Sequence, residues 1–195
     1  MRLSFAVLVT AVTAICGAAS AQTVGESDAR KQLFPVKGIS VQILDHSFLS
    51  EKDKDLLREV AKTQNYYAVV AVPPAEGLFS EAAFAAANFH SIPAAEKVAI
   101  QNCESKRKGG EKCVVALRVF PKGWSDQPLQ LSRDATLGFD KEYKKGNGPK
   151  AFAISPSTGS WSVFKGDGAD NFAIGRCNDK ARSSGSKDCI VVIKD

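Results

Sequence analysis

Histidine is nearly missing from this 195-residue chain, with His46 and His90 the only two. Centres built on clustered imidazoles are therefore excluded, whether for metal binding or for proton transfer. There is no C-x-x-C pair of the kind that exchanges disulfides. An H-E-x-x-H zinc helix, a G-x-S-x-G nucleophile elbow and a glycine-rich phosphate loop are missing as well. Aromatic residues make up 8% of the chain and the formal charge is only +5. Basic residues are not interleaved with aromatic ones, so a nucleic-acid partner is not expected. No run after the first residues approaches the roughly 20 apolar residues that span a bilayer, so no transmembrane segment is expected. No cofactor is implied.

The N-terminus is informative. Arg2 is followed by an apolar stretch from Phe5 to Ile15 and then by Ala19-Ser20-Ala21, the charged, apolar and small-x-small order of a secretory leader. Residues 1–21 are read as a signal peptide, with the mature chain starting at Gln22 and located in the periplasm or outside the cell. Cys16 offers lipidation as an alternative, against which Ile15 stands where acylation wants a small residue. Loss of the leader removes Arg2 and no acidic residue, so the charge falls from +5 to +4. A surplus this small serves solubility.

Four cysteines then remain: Cys103, Cys113, Cys177 and Cys189. An even number in an exported chain favours disulfides, and three pairings are open. Zinc would want closer ligand spacing. The pairing Cys103 with Cys113 and Cys177 with Cys189 follows from an internal repeat. Ala95, Val98, Ala99 and Cys103 fall at helical steps, and Ala169, Phe172, Ala173 and Cys177 fall at the same steps, which predicts one buried stripe on each of two helices. Further upstream, "AVPPAEGLFS" (71–80) lies over "AISPSTGSWS" (153–162), sharing Ala, Pro, Gly and Ser. The shared proline and glycine predict four-residue hairpin loops, 74–77 and 156–159, with proline setting a negative φ and glycine taking the left-handed conformation. Tyr67 to Val72 and Ala151 to Ile154 are then first strands, and Phe79 and Trp161 open the second. Val114 to Val119 and Ile190 to Ile193 are continuously apolar, as closing strands covered on both faces would be.

Each unit thus reads strand, hairpin, strand, helix, cysteine-closed loop, strand, with the first cysteine ending the helix. The expected fold is α+β: two ββαβ repeats, each with an internal disulfide, sharing an antiparallel or mixed sheet core, plus an N-terminal strand and helix. The expected divisions are the extension 22–65, the first repeat 66–120, a connector 121–149 and the second repeat 150–195. In the extension, Ile39 to Leu44 alternates like a strand, and Ser50 with Asp53 forms a capping arrangement for a helix bearing Leu56, Leu57, Val60 and Ala61. The connector carries a short helix, Arg133 to Tyr143, whose apolar residues have surface to bury. The first repeat has eight extra residues between hairpin and helix. In the second, Asp167, Asp170 and Asn171 lack the glutamate of a calcium loop and read as a helix N-cap.

The string "AFAISPSTGSW", the alanine-centred helix, Cys177 and "CIVVI" resemble a small exported bacterial domain of unknown function in which a similar hairpin, helix and cysteine pair recur. The likeness covers the second repeat well and the first more loosely, where Val72-Pro73 replaces Ile-Ser. It implies no catalytic or binding residues. The whole chain is similar to short exported alphaproteobacterial proteins that carry the name 5-aminolevulinate synthase. That activity belongs to a much longer pyridoxal-phosphate enzyme needing a Schiff-base lysine, a carboxylate partner and a phosphate cradle.

Two classes of function follow. One is a non-catalytic module binding another periplasmic protein, a cell-envelope component or a small ligand. The other is a small periplasmic enzyme with a dispersed site; no catalytic residue is assigned, because His46 and His90 read as surface or helix-end residues, with His90 in "NFHS" the less unsuited of the two as a base. The loop cations Lys106, Arg107 and Lys108, with Lys180, Arg182 and Lys187, are candidates for a basic docking edge. Trp124 and Trp161 are read as core aromatics.

Overall fold

A computed structural model describes residues 23–195, so the expected leader lies outside the described residues. Among the described residues, five α-helices and seven strands follow in the order α1 (Glu26–Gln32), β1 (Ile39–Ile43), α2 (Glu51–Thr63), β2 (Ala68–Val72), β3 (Phe84–Ala86), α3 (Ile92–Lys106), β4 (Val114–Pro121), α4 (Arg133–Gly138), β5 (Lys150–Ile154), β6 (Trp161–Lys165), α5 (Ala169–Ala181) and β7 (Ile190–Lys194). The strands make two antiparallel sheets, ordered β1-β4-β2-β3 and β6-β5-β7. Helix and sheet are mixed as expected, but the halves do not share one sheet. The outer edge of β4 is taken by β1, and that of β7 by a bridge from Val24 to Ile193, so neither closing strand is open to the other half.

The central strands β2 and β5 are covered on both faces, which explains why each is buried throughout. In β2, Ala68, Val70 and Val72 face α2 with Leu57 and Ala61, while Val69 and Ala71 face α3. In β5, Phe152 and Ile154 face Phe139 and Tyr143, while Ala151 and Ala153 face α5. The buried stripes of α3 (Ile92, Ala95, Ala99, Cys103) and α5 (Ala169, Ala173, Cys177, Ala181) are made mostly of small residues. A helix with such a stripe approaches an alanine-bearing strand closely, and the contact loses little side-chain entropy. Phe172 does not join the stripe: it is 55% exposed, stacked on Phe164 at the flank of α5.

The central and closing strands pair with the same irregularity in both sheets. Val70 faces Leu117 and Ala71 faces Val115, skipping Ala116. Phe152 faces Ile193 and Ala153 faces Val191, skipping Val192. Such a bulge twists the pair locally and re-aims the side chains beyond it.

Disulfides join Cys103 to Cys113 and Cys177 to Cys189, with Cα separations of 6.1 and 6.0 Å. The residue after the first cysteine accepts the amide of the second in both cases: Glu104 Oε1 takes Cys113 N at 2.5 Å and Asn178 Oδ1 takes Cys189 N at 3.1 Å. The first cysteine does not end either helix. Both helices run on, to Lys106 and Ala181, because their last turns still hydrogen-bond the chain that leaves them.

The hairpins differ from expectation. Gly77 has a φ of +78°, the left-handed conformation foreseen for it. Gly159 is not left-handed; a Cβ there would lie 2.2 Å from the carbonyl oxygen of Asn88, so glycine is required by close approach. Phe79 opens no strand and is 82% exposed, since the turns from Pro73 onward delay β3 until Phe84. Part of the extra length of the first half therefore lies inside its hairpin.

Ser50 and Asp53 form the full capping box of α2. At α5 the expected side-chain cap is not formed. Gly168, at φ +72°, holds the cap position, and Asp170 pairs with Lys194 at 2.5 Å. The expected connector helix is α4 continued by a π-helical turn, Phe139–Tyr143. It covers the second sheet as α2 covers the first, and Gly138 gives room for Trp161, whose ring would lie 2.1 Å from a Cβ.

The N-terminal extension holds more than a strand and a helix. α1 lies on the second sheet before the chain crosses to the first as β1, with Val24, Ala29 and Leu33 in the second core. Lys150, nearly buried, bonds Glu26 at 2.5 Å, sits 3.7 Å from Asp195 and lies over the Tyr143 ring. Lys150, then Arg30, holds the Glu26 carboxyl below its usual range. Burial and the adjacent Asp195, which accepts the Tyr143 hydroxyl at 2.8 Å, push that phenol upward.

Replacing either cysteine pair by serine should lower unfolding free energy by about 2–4 kcal/mol, as loops of this size predict, read from chemical denaturation with tryptophan fluorescence. Gly138→Ala should displace Trp161 and cost about 2 kcal/mol, the range for overpacking, with a matching change in near-UV circular dichroism.

Candidate functional site

The segment Asn88-Phe89-His90 leaves the first sheet and locks onto the second half. Asn88 sits at φ +64°, a conformation to which asparagine is suited. There its amide brackets the start of α4: Nδ2 donates to Asp134 Oδ2 at 3.0 Å and Oδ1 accepts Asp134 N at 3.2 Å. His90 is buried, and both ring nitrogens are used. Ser132 N donates to Nδ1 at 3.0 Å, so Nδ1 is the unprotonated nitrogen and Nε2–H donates to Ser160 O at 3.0 Å. Burial outweighs the Ser160 carbonyl and the distant Asp188 charge, and pushes the His90 pKa down to about 4. His90 is therefore a neutral bridge between the halves. It precedes α3 as a helix-end residue would, but it is buried and not on the surface, and its ring has no free nitrogen to offer a substrate as a base. His46 bonds Val115 O at 2.8 Å and stacks on Phe48.

Beside this bridge lies a groove of about 620 Å³, within the size range of small-ligand sites. One wall is α3, with Lys97, Val98, Gln101 and Asn102; the other is the β5–β6 hairpin and the cystine loop, with Ser157 and Ser186. The carboxylate that orders the second wall is Asp188. It accepts Ser157 N at 3.0 Å, Ser186 Oγ at 2.7 Å and the Ser155 hydroxyl. Burial alone would raise Asp188; hydrogen bonding by Ser155, Ser186 and Ser157 outweighs it and holds the carboxyl at about 2. Ser157 Oγ and Ser186 Oγ are 2.8 Å apart. The one proton of Ser186 goes to Asp188, so Ser157 donates to Ser186 and both oxygens present lone pairs outward. On the opposite wall, neither Lys97 nor Gln101 forms a side-chain hydrogen bond or ion pair among the described residues, so an ammonium and an amide line the groove with their donors uncommitted.

The loop cations are distributed differently. Lys106 lies over Phe84, and Arg107 bonds Glu104 at 2.6 Å and the Gly110 carbonyl. Lys108 is held through its backbone by Glu76. Lys180 lies over Trp161 and donates to its carbonyl at 2.9 Å, and Arg182 pairs with Asp179. Lys187 is exposed in the second cystine loop. Each loop thus engages its own half. Trp161 stacks on Phe152, while Trp124 packs on Phe120 and stays 37% exposed. Sequence reasoning missed the groove because its walls come from segments about 60 to 90 positions apart; the one available signal was the run of serines around 155–160 and 183–186.

Among the described residues, no helix is long and apolar enough to cross a membrane. No group of three or more histidine, cysteine, aspartate or glutamate side chains is placed to hold a metal ion. No protein-family model, curated protein or solved structure matches the chain.

His90 makes stability depend on pH in a definite direction. Its ordinary pKa is 6.5 and its folded value about 4, so the unfolded chain binds a proton in this window and the folded chain does not. Stability is full above pH 6.5 and falls by about 3 kcal/mol towards pH 4, measured by urea unfolding at stepped pH. His90→Leu should flatten that window and, by stranding the Ser132 amide, cost about 1–3 kcal/mol at pH 7.

Proposed function

We propose that this chain is an exported, disulfide-stabilised binding module, and that its ligand is a polyhydroxylated molecule such as a cell-envelope saccharide held in the groove between the halves. The observation that carries this reading is the opposed chemistry of the two walls: acceptor oxygens of Ser157 and Ser186, ordered by Asp188, line one, and the ammonium of Lys97 and the amide of Gln101 line the other. A sugar offers hydroxyls that both donate and accept, together with apolar C–H faces that suit Val98 and Phe89. The leader-like N-terminus and the two disulfides support placement in the periplasm or outside the cell.

The module is read as a doubled unit. This is supported by the strand order β4-β2-β3 against β7-β5-β6, by the bulge at the same place in each pair, and by the side chain after the first cysteine accepting the amide of the second. The unit extends further upstream than ββαβ, since α2 and α4 with its π-helical turn each cover the corresponding face of the central strand. Doubling explains the groove: it lies where the helix of one copy meets the hairpin of the other.

A second reading, a small hydrolase, rests on the hydrogen-bonded chain Ser157–Ser186–Asp188. It is the weaker one, because a carboxylate held at about 2 is a poor acceptor for a serine proton near neutral pH.

Titration with soluble peptidoglycan fragments and chitooligosaccharides, followed by calorimetry, should show binding that Ser157→Trp abolishes without changing the circular dichroism spectrum. Lys97→Ala should weaken it roughly tenfold, the equivalent of about 1.4 kcal/mol. Cleavage of these probes, lost in Ser157→Ala, would favour the hydrolase; no binding of any of them would reject the saccharide reading.

A further inference from the structure

Among the described residues, the second sheet is open along β6, and that edge lies in a charged trough. β6 is the outermost strand of the order β6-β5-β7. Its backbone polarity follows from the bonds at its two ends: Ser155 N donates to Ser160 O, and Gly166 N donates to Pro149 O, so residues 160 and 166 point towards β5. Between them the direction alternates, which turns the N–H and C=O groups of Trp161, Val163 and Lys165 away from the sheet. Lys150, opposite Lys165, confirms the phase, since both its backbone groups pair with Asp195 on the far side. Lys180 caps the Trp161 carbonyl. Among the described residues, the unpaired row is therefore centred on Val163 and Lys165.

Along this row runs a trough of about 440 Å³ between the π-helical turn on one side and α5 on the other. Lys141, Lys145, Lys165 and Arg176 line it, with Glu142 as the one acidic group in the lining. Arg176 lies 4.8 Å from the Phe164 ring centre, and Phe172, more than half exposed, extends that stack by one ring. An exposed edge normally invites strand addition, and flanking cations set which strands are admitted.

We infer that the β6 edge is a docking site for an extended acidic polypeptide segment of a partner protein, which adds as a further strand to the second sheet. Its alternate backbone groups bond Val163 and Lys165, its carboxylates meet Lys141, Lys145 and Arg176, and an apolar residue rests on Phe164 and Phe172. The site is separate from the saccharide groove and does not depend on it.

The probe is a synthetic peptide of alternating Glu and Thr, with three controls: the same peptide N-methylated at every second amide, a Lys-Thr counterpart, and anionic lipid vesicles. Calorimetry with the folded chain should show binding of the Glu-Thr peptide, weakening with salt, lost on N-methylation and weakened at least about tenfold in the triple variant Lys141→Glu, Lys145→Glu, Arg176→Glu. Isotope-edited NMR should place the shifted amides at Val163 and Lys165. Val163→Pro should also abolish binding, and the N-methylated peptide decides the question if that variant does not fold. No binding, equal binding of the N-methylated or Lys-Thr peptide, or binding of vesicles in place of the peptide would each overturn the proposal, whereas Ser157→Trp should leave peptide binding unchanged.

Discussion

A single neutral imidazole, buried where the two sheets meet, orders the rest of the molecule. His90 accepts the amide of Ser132, which begins the covering helix of the second half, and donates to the carbonyl of Ser160, which ends the hairpin of that half. One side chain from the first half thereby sets the positions of two elements of the second. A buried histidine can do this only in one tautomer and only uncharged, since a second ring proton would face the Ser132 amide instead of an acceptor. Asn88 and Gly159 complete the lock. The asparagine brackets the start of α4, and the absent Cβ of the glycine lets the hairpin rest against the Asn88 carbonyl.

The groove is a consequence of that lock. Two α-covered sheets joined along a narrow seam leave a cleft wherever the flanking helix and hairpin diverge, and here α3 and the β5–β6 hairpin diverge beside His90. The second cystine makes the far wall firm. It anchors the loop that carries Ser184 to Asp188, and Asp188 then draws Ser155, Ser157 and Ser186 together with its two oxygens. The strong depression of this carboxyl reflects the same fact as the order of the serines, because donors that stabilise the anion are themselves held by it. An equivalent wall is not built in the first half, where Glu76 instead engages Ser80 and the Lys108 amide.

Opposite ends of the described chain meet in the second half. Val24 bridges Ile193, and Lys150 stands between Glu26 and Asp195 over the Tyr143 ring. Val24 bridges the outer edge of β7, and α1 packs in the second core before the chain returns to the first sheet as β1. The same chain segment thus bridges one closing strand and continues into the strand that pairs with the other. Among the described residues β6 is left as the open edge of the second sheet, beside a trough lined by Lys141, Lys145, Lys165 and Arg176.

What local chemistry can dictate was readable in order along the chain. The capping box at Ser50, the apolar central and closing strands and the helix from Arg133 to Tyr143 each depend on residues within about a dozen positions of one another, so spacing and side-chain type suffice, whereas the two cysteine pairs were readable from one pattern occurring in both halves. The misreadings came where one segment answers to another far away. Gly159 was assigned a left-handed turn because a loop glycine usually takes one, but its reason is the carbonyl of Asn88. Phe79 was placed in a strand by analogy with Trp161, although the first hairpin has room for additional turns before β3. His90 was read as a surface or helix-end residue because nothing local reveals burial. Local periodicity and capping by themselves determined most of the helices and strands of each half, though not α1 or the place of β3, and the repeated cysteine pattern pointed to the sulfur links. Only tertiary contact decided that the halves keep separate sheets, that the imidazole between them is uncharged, and that serines far from α3 in sequence form the wall opposite it, because burial and opposition are properties of surfaces that exist only after the chain has closed on itself.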